Sequence, residues 1–513
     1  MEYLCSSLEH GFDTLVADHD LPTFECKNSL SARQNPSTVD ELLQTELDKG
    51  YVKGPFPQPP FNSYRVSPLG IATHKYSGKK RLIFDLSSPH NKADPSVNGL
   101  INKEQCSLSY VKIDDAIQLI QQFGIGSLMC KTDMTDAFKQ IPIRPNQWHL
   151  FCFKWKTNYY HYVRLPFGCR SSPKLFDTLS SAICWIAKNN YGIHNILHLL
   201  DDFLTIDTPE ACGERTMALL CTIFHRLNLP LSAKKTVGPT SELEYLGIIL
   251  DTINMQARLP LEKIDRITSC IRSILLRKSC TRKELEQLLG HLNFASRVIL
   301  PGRSFVSYLY KLMSSVKEGY HYIHLNKECK ADLYMWLEFL SSWNGISMFY
   351  DPCKVNADAI QLFTDASSTI GYGGYFEGHW FCDSWPVDLP QVIDETLSMA
   401  FLELYPIVVA SILWGRQWTG KRIVFNCDNQ ATVHIITKGR SKEPVIMKLM
   451  RRLTMCAAKY NFAIYSTYVP GVKNNIADSL SRLQMTRFQM LAPEADRLPT
   501  HCPPLKEVIW TAS

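Results

Sequence analysis

The chain has 513 residues, 45% hydrophobic and 20% charged, which is too long for one ordinary core and too apolar for general disorder. Its net charge of +6 permits a polyanionic partner without requiring one. The 17 cysteines include no Cys-x-x-Cys pair and the chain opens without a basic, apolar leader, so a zinc ribbon and a secreted disulfide scaffold are excluded, and a reduced, intracellular protein of cytoplasm or nucleus is expected.

The first fifty or so residues are mixed and end in a helical pattern from Val39 to Leu47, before Gly50. The run Pro55-Phe56-Pro57-Gln58-Pro59-Pro60 fits neither a helix nor a central strand and predicts an extended boundary. From Ser67 to Leu86, two apolar runs flank Ser77-Gly78-Lys79-Lys80, which predicts a hairpin with a basic tip. Between Asp114 and Leu250 helical and strand patterns alternate, with strands expected at Ser127 to Thr132, Ile196 to Ile206 and Tyr245 to Leu250.

After Pro260 the period turns helical. Ile264, Ile267, Ile271 and Ile274 recur on one face, and Thr281-Arg-Lys-Glu284 is a capping box opening a second helix that aligns Leu285, Leu288, Leu289 and Leu292. From Asp251 to Ser315 there are eleven Lys or Arg against five Asp or Glu, either a solvated helix face or a surface that follows a phosphate backbone. A new αβ pattern runs from Ile360 to about Leu483, so a domain boundary is expected near residue 355, and the proline-containing last thirty residues read as a tail. The apolar run from Ile407 to Trp414 is too short to span a membrane, and no membrane partner is expected.

Two sets of acids carry the chemistry. Leu199-Leu200-Asp201-Asp202-Phe203-Leu204 puts adjacent carboxylates in an apolar strand pattern, which is expensive unless a cation meets them or a hairpin turn exposes them. Asp133 closes another strand-like run, and if the two strands are neighbours, Asp133 and Asp201 can share two divalent ions roughly 3.5 to 4 Å apart, as phosphoryl transfer by two metals requires. Mg²⁺ suits such oxygen ligands, with Mn²⁺ as the alternative ion.

In the second set, Asp365 lies in a strand before a Gly-rich turn, Glu403 in a helix pattern, Asp428 after Ile423-Val-Phe-Asn, and Asp478 at the start of Ala477-Asp-Ser-Leu-Ser-Arg482. Each alone is as well explained by a cap or a surface position. Because Pro406 follows Glu403 by three residues, Glu403 is expected in the first helical turn.

The series Lys131-Thr-Asp-Met-Thr-Asp-Ala-Phe-Lys-Gln-Ile-Pro-Ile143, Leu165-Pro-Phe-Gly-Cys-Arg-Ser-Ser-Pro173, Asp201-Asp202, Ala233-Lys-Lys235 and Leu243-Glu-Tyr-Leu-Gly247 resembles the ordered palm motifs of retroelement reverse transcriptases. The wording of flanks such as Gly302-Arg-Ser-Phe-Val306 is similar to tyrosine-recombinase (DIRS-like) retrotransposons, and the second acid set resembles the ribonuclease H fold.

The resemblance implies an α/β and α+β multidomain protein: a right-hand polymerase of fingers, palm and thumb followed by a ribonuclease H-like domain. The expected divisions are an N-terminal segment (1–45), fingers and palm (46–250), a thumb-like and connecting helical region (251–355), the ribonuclease H-like domain (356–483) and a tail (484–513). It implies RNA-directed DNA synthesis and cleavage of RNA–DNA hybrids, with RNA template, DNA primer and dNTPs as partners and any recombinase on a separate chain.

By the same resemblance Asp133, Asp201 and Asp202 are the polymerase carboxylates, with the Met134 carbonyl as a further metal ligand, and Arg81 meets the triphosphate, assisted by Lys75 or Lys79. Phe138 lies under the sugar, Phe167 and Gly168 form the nucleotide-side turn, and Lys234 or Lys235 protonates pyrophosphate. Asp365, Glu403, Asp428 and Asp478 hold the ribonuclease H ions. Three departures stand out: Phe167 stands where some retroviral enzymes carry Gln, Leu199 replaces the usual Tyr before the Asp pair, and the loop Tyr468 to Asn475 lacks the His of many retroviral members. The runner-up reading is a catalytically inactive nucleic-acid-binding scaffold derived from such an element. A DNA-templated repair polymerase is disfavoured, because an attached ribonuclease H needs a hybrid to act on.

Overall fold

The computed structural model describes residues 2–18, 21–73, 78–90, 94–342, 347–348, 360–389 and 397–511. The chain divides into two compact units, Met1–Tyr245 and Leu246–Ser513.

The first unit is built on a four-stranded antiparallel sheet in the order Val237–Thr240, Leu128–Asp133, Asp202–Asp207, Ile196–Leu199. Met129, Cys130, Phe203, Leu204 and Ile206 are fully buried in it, and the helices Ser172–Tyr191 and Gly213–Arg226 pack against its strands. The expected strand from Ile196 to Ile206 is in fact two strands. It breaks at Leu200-Asp201, where Leu200 adopts a φ of 55°, so the acidic pair sits at a hairpin turn.

A five-stranded sheet in the same unit runs Phe24–Glu25, Arg65–Val66, Cys152–Trp155, Asn158–Tyr162, Val52–Phe56. Pro55 therefore lies on an edge strand, where its missing N–H breaks no inner ladder; the run begins within the sheet, at Pro55 and Phe56, and lies inside the first unit, so it is not a boundary. Leu69–Thr73 and Lys80–Phe84 form the expected hairpin, whose tip residue Lys75 lies outside the described residues. The helix Pro36–Asp48 straddles the expected 45/46 division, and Phe12, Val16 and Leu21 share a core with Phe151 and Phe176, so the N-terminal segment is an integral part of this unit.

In the second unit, Leu261–Leu275 and Arg282–Ala295 bury the isoleucines and leucines that the period marks. The capping box is present: Glu284 N–H donates to Thr281 Oγ1 at 3.2 Å and Thr281 N–H to the Glu284 carboxylate at 2.8 Å. The expected strand Tyr245 to Leu250 is interrupted at Leu246 and Gly247, with φ of 48° and 80°, leaving strands Glu242–Tyr245 and Ile248–Asp251.

Further along this unit a five-stranded sheet runs His379–Ser384, Gly371–Phe376, Ile360–Ala366, Arg422–Cys427, Ala463–Tyr468. The first three strands are antiparallel and the last two run parallel to Ile360–Ala366, the topology of a ribonuclease H-like fold.

The helix Met399–Trp414 packs against this sheet and against the helix Pro444–Tyr460. Pro406 is inside it, so Glu403 stands in its second turn and not its first. A proline there loses one backbone bond at a cost of about 3 kcal/mol, offset because nearly every side chain of the helix is buried. With its continuation to Trp418 the segment is 20 residues, long and apolar enough to cross a membrane by length and composition, which corrects the shorter span read from the sequence; 78% of its apolar window is buried in the protein.

The last residues are not a loose tail. Phe488 lies 4.8 Å from the ring of Trp380, whose indole N–H donates to the Asp496 carbonyl at 2.7 Å, and Val508 and Ile509 are buried. The cysteines of the described residues are all free.

Candidate active sites

The first site is a product of strand register. The strands Leu128–Asp133 and Asp202–Asp207 pair antiparallel with Asp202 directly opposite Asp133, and the turn places Asp201 beside them. The Met134 N–H donates to the Asp201 carbonyl at 3.0 Å, tying the two acidic strand ends together. Asp133 is 5% exposed, and Asp202 Oδ1 is buried with no hydrogen-bond partner. Burial pushes Asp202 up to about 6, with Asp133 and Asp201 adding to the rise against the pull of Lys131, and burial likewise raises Asp201.

One cation answers this cluster directly: Lys235 Nζ lies 2.8 Å from Asp133 Oδ2, a bond that raises the lysine's own pKa. Lys234 and Lys235 are both exposed, and of the two it is Lys235 that bonds to the acids. Three carboxylates met by two lysines, the 62% exposed Lys235 bonded to Asp133 and Lys131 acting on Asp202, leave an excess of negative charge, which fits divalent cations.

Around the acids, Phe138 in the short helix Ala137–Gln140 has its ring 4.9 Å from Phe167 and 5.5 Å from Phe176. Phe167 is 54% exposed, and Gly168 has a φ of 99° with the Phe84 carbonyl only 2.5 Å from where a Cβ would stand. Asn98, which the sequence reading did not single out, clamps this turn: its Nδ2 donates to the Gly168 carbonyl and its Oδ1 accepts from the Arg170 N–H, both at 2.8 Å. Arg81 stands exposed on Lys80–Phe84 opposite Ala72, and no hydrogen bond or ion pair joins it to the acids.

The second site gathers four acids from four elements. Asp365 is in the central strand, Asp428 follows the next strand, Glu403 projects from the buried helix, and Asp478 sits in the helix Asn475–Ser481, which packs on the strands Ile360–Ala366 and Gly371–Phe376. Acceptor atoms of Glu403, Cys427 and Asp428 lie within 4.8 Å of one another. Burial drives Glu403 up to about 9, with Asp365 and Asp428 reinforcing the rise, and raises Asp365 to about 6, while Asp428 is also raised by burial.

Asp478 behaves differently. Burial acts to raise it, but Arg482 Nε at 2.7 Å and an Arg487 nitrogen at 2.6 Å hold it below the ordinary range. Arg487 comes from the stretch read as a tail. Ser481 donates to Asp365, and Asn474 donates to the Thr364 carbonyl at 2.9 Å, so the segment that replaces the His-bearing loop frames the acids. Neither Arg487, Ser481 nor Asn474 had a sequence signal beyond nearness to Asp478. The carboxyl trio of buried Asp365 and Glu403 with half-buried Asp428 fits divalent cations on the same grounds as the first site.

Residues 56–250 match the family model described as reverse transcriptase (RNA-dependent DNA polymerase). This stretch, fewer than half of the chain's residues, is similar to that family. Over 79% of the chain the sequence is 23% identical to the retrovirus-related Pol polyprotein from transposon 297 of Drosophila melanogaster. It is 29% identical to the Gag-Pol polyprotein of avian reticuloendotheliosis virus over 33% of the chain, and 27% identical to the Pro-Pol polyprotein of simian foamy virus type 1 over 37%. The chain spans 37%, 14% and 15% of these three polyproteins. Among solved structures, a foamy viral protease-reverse transcriptase (dRH) in complex with double-stranded DNA is 17% identical, with 88% of this chain and 73% of that one covered at a TM-score of 0.48.

Proposed function

We propose that the chain is an RNA-directed DNA polymerase that also cleaves the RNA of RNA–DNA hybrids, in the service of retrotransposon replication. The register that sets Asp202 opposite Asp133, with Asp201 in the adjoining turn, carries the reading. Two Mg²⁺ or Mn²⁺ ions per site, held by Asp133, the Met134 carbonyl, Asp201 and Asp202 in one and by Asp365, Glu403, Asp428 and Asp478 in the other, would activate the attacking oxygen and neutralise the leaving group.

The protein's own residues do the rest. Lys235, already bonded to Asp133, is placed to hand a proton to the departing pyrophosphate. Phe138 and Phe167 wall the sugar side, the Gly168 turn lets backbone approach the nucleotide, and Arg81 meets the triphosphate. In the second site the buried Glu403 and Asp365 and the half-buried Asp428 present their carboxylates together, and the arginine pair at Asp478 orients the fourth. The divisions after residues 250 and 355, the DIRS-like subgroup, a recombinase on another chain and an intracellular setting belong to the same reading.

Purified protein with poly-rA/oligo-dT and Mg²⁺ tests it: extension of the primer and release of hybrid RNA are expected. A protein that binds hybrid yet neither extends nor cleaves is the inactive scaffold instead.

A further inference from the structure

In the second unit the strands Ser279–Thr281 and Tyr322–His324 form a two-stranded ribbon, with Cys280 opposite Ile323 and Thr281 opposite Tyr322. Cys280 and Ile323 are buried, so alternation turns Tyr322 and His324 to the other face. Tyr322 is 71% exposed, and Tyr320, in the turn leading into the strand, is 73% exposed. Folding gains little from rings left this far in water.

Basic side chains surround them. The backbone joins Leu325 to Lys278, Lys283 to Gly319 and Arg282 to His321, each by an N–H···O bond of 2.8 to 2.9 Å. Lys278, Lys283 and Lys317 are exposed, as are His321 and His324. The nearby carboxylate of Glu284 is bonded to Arg277 at 2.8 Å, which leaves Glu318 as the acid between Val316 and Asn326.

We propose that this ribbon is a stacking platform for a single-stranded polynucleotide, with Tyr320 and Tyr322 against unpaired bases and Lys278, Lys283 and Lys317 along the phosphates. Every base offers a ring face, so such a surface accepts any sequence, whereas in a duplex those faces are covered by neighbouring pairs. The inference rests on reading the chain as an enzyme that handles nucleic acid, since an uncopied template is single-stranded.

The test is fluorescence anisotropy with the full chain, using a labelled oligo-rU and a blunt RNA–DNA duplex, on Tyr320→Ala/Tyr322→Ala and on Tyr320→Phe/Tyr322→Phe. The alanine pair is expected to bind oligo-rU about tenfold more weakly, with the salt slope and duplex binding unchanged, while the phenylalanine pair binds like wild type. Lys283→Ala/Lys317→Ala is expected to flatten the slope for oligo-rU.

Unchanged oligo-rU affinity in the alanine pair, with wild-type circular dichroism, overturns the inference, as does an equal loss on duplex. A shift from dimer to monomer without a change in oligo-rU affinity makes the face a contact between two copies of this chain and overturns it too. Binding is read without synthesis, so a wild type that binds oligo-rU through these tyrosines but extends no primer refutes the polymerase reading and leaves this one standing.

Discussion

The hydroxyl of Ser180 donates to the carbonyl of Leu200 at 2.9 Å, so the helix Ser172–Tyr191 holds the turn that carries Asp201. Leu200 is in the left-handed region, at a cost of about 1–2 kcal/mol for a residue with a Cβ, and needs such an anchor. Asp177 and Cys184 lie on the same helix face and meet the two ring nitrogens of His198 at 3.2 and 3.3 Å.

Ser180→Ala leaves the Leu200 carbonyl without this fully buried partner, a loss of about 1–3 kcal/mol. If that loss falls on the placement of Asp201, the maximal rate of nucleotide addition should drop about tenfold with little change in nucleotide affinity. Pre-steady-state extension separates the two quantities, and a change in affinity alone would assign Ser180 no part in aligning the acid.

The two chemistries should separate by mutation, because Asp201 and Asp428 belong to different units. Asp201→Asn is expected to abolish DNA synthesis and spare hybrid cleavage, and Asp428→Asn to do the reverse. Loss of both activities in either folded variant would contradict two independent sites.

Phe138→Val should keep deoxynucleotide incorporation measurable while raising the use of ribonucleotides, since a ring in this place excludes a 2′-hydroxyl by overlap. The ratio of kcat/KM for dCTP and CTP on one primer-template reads the effect. An unchanged ratio would leave Phe138 as a packing partner of Phe167 and Phe176 only.

Glu403→Gln should stabilise the protein in EDTA at neutral pH. Burial, aided by Asp365 and Asp428, raises the Glu403 carboxyl to about 9, above the value of about 4.3 expected when unfolded. Folding therefore takes up a proton, and the stability this supplies is present at low pH and is lost as pH rises from about 4 to about 9. The amide carries no charge to bury, so melting at pH 7.5 should rise by about 2 °C or more, with the gain shrinking toward pH 5. A melting temperature that falls equally at both pH values would mean that the carboxylate is not a source of strain.

The basic stretch after Asp251 divides in the structure. Arg272 is exposed, whereas Arg277 is bonded to Glu284 of the capping box. Arg272→Ala should flatten the salt dependence of hybrid binding, and Arg277→Ala should chiefly weaken the helix whose capping box it bonds. Equal slopes in wild type and Arg272→Ala would make this a solvated face.

The sequence by itself determined the order of the acidic motifs, the hairpin around residues 77–80, the capping box at Thr281 and the apolar faces of the helices that follow, because each depends on residues a few positions apart. Distant pairings were decided by tertiary structure alone. Whether Asp201-Asp202 lay within a strand or at a turn depended on the pairing of Ile196–Leu199 with Asp202–Asp207. Ser180, Asn98 and Arg487 gave no signal, since what each does is set by a partner brought near only by packing. The proline rule misplaced Glu403 for the same reason: burial of a whole helix between sheet and neighbouring helix outweighs one missing backbone bond. The segment after Leu483, irregular in pattern, is ordered by Trp380 and Asp478, contacts that no local period could reveal.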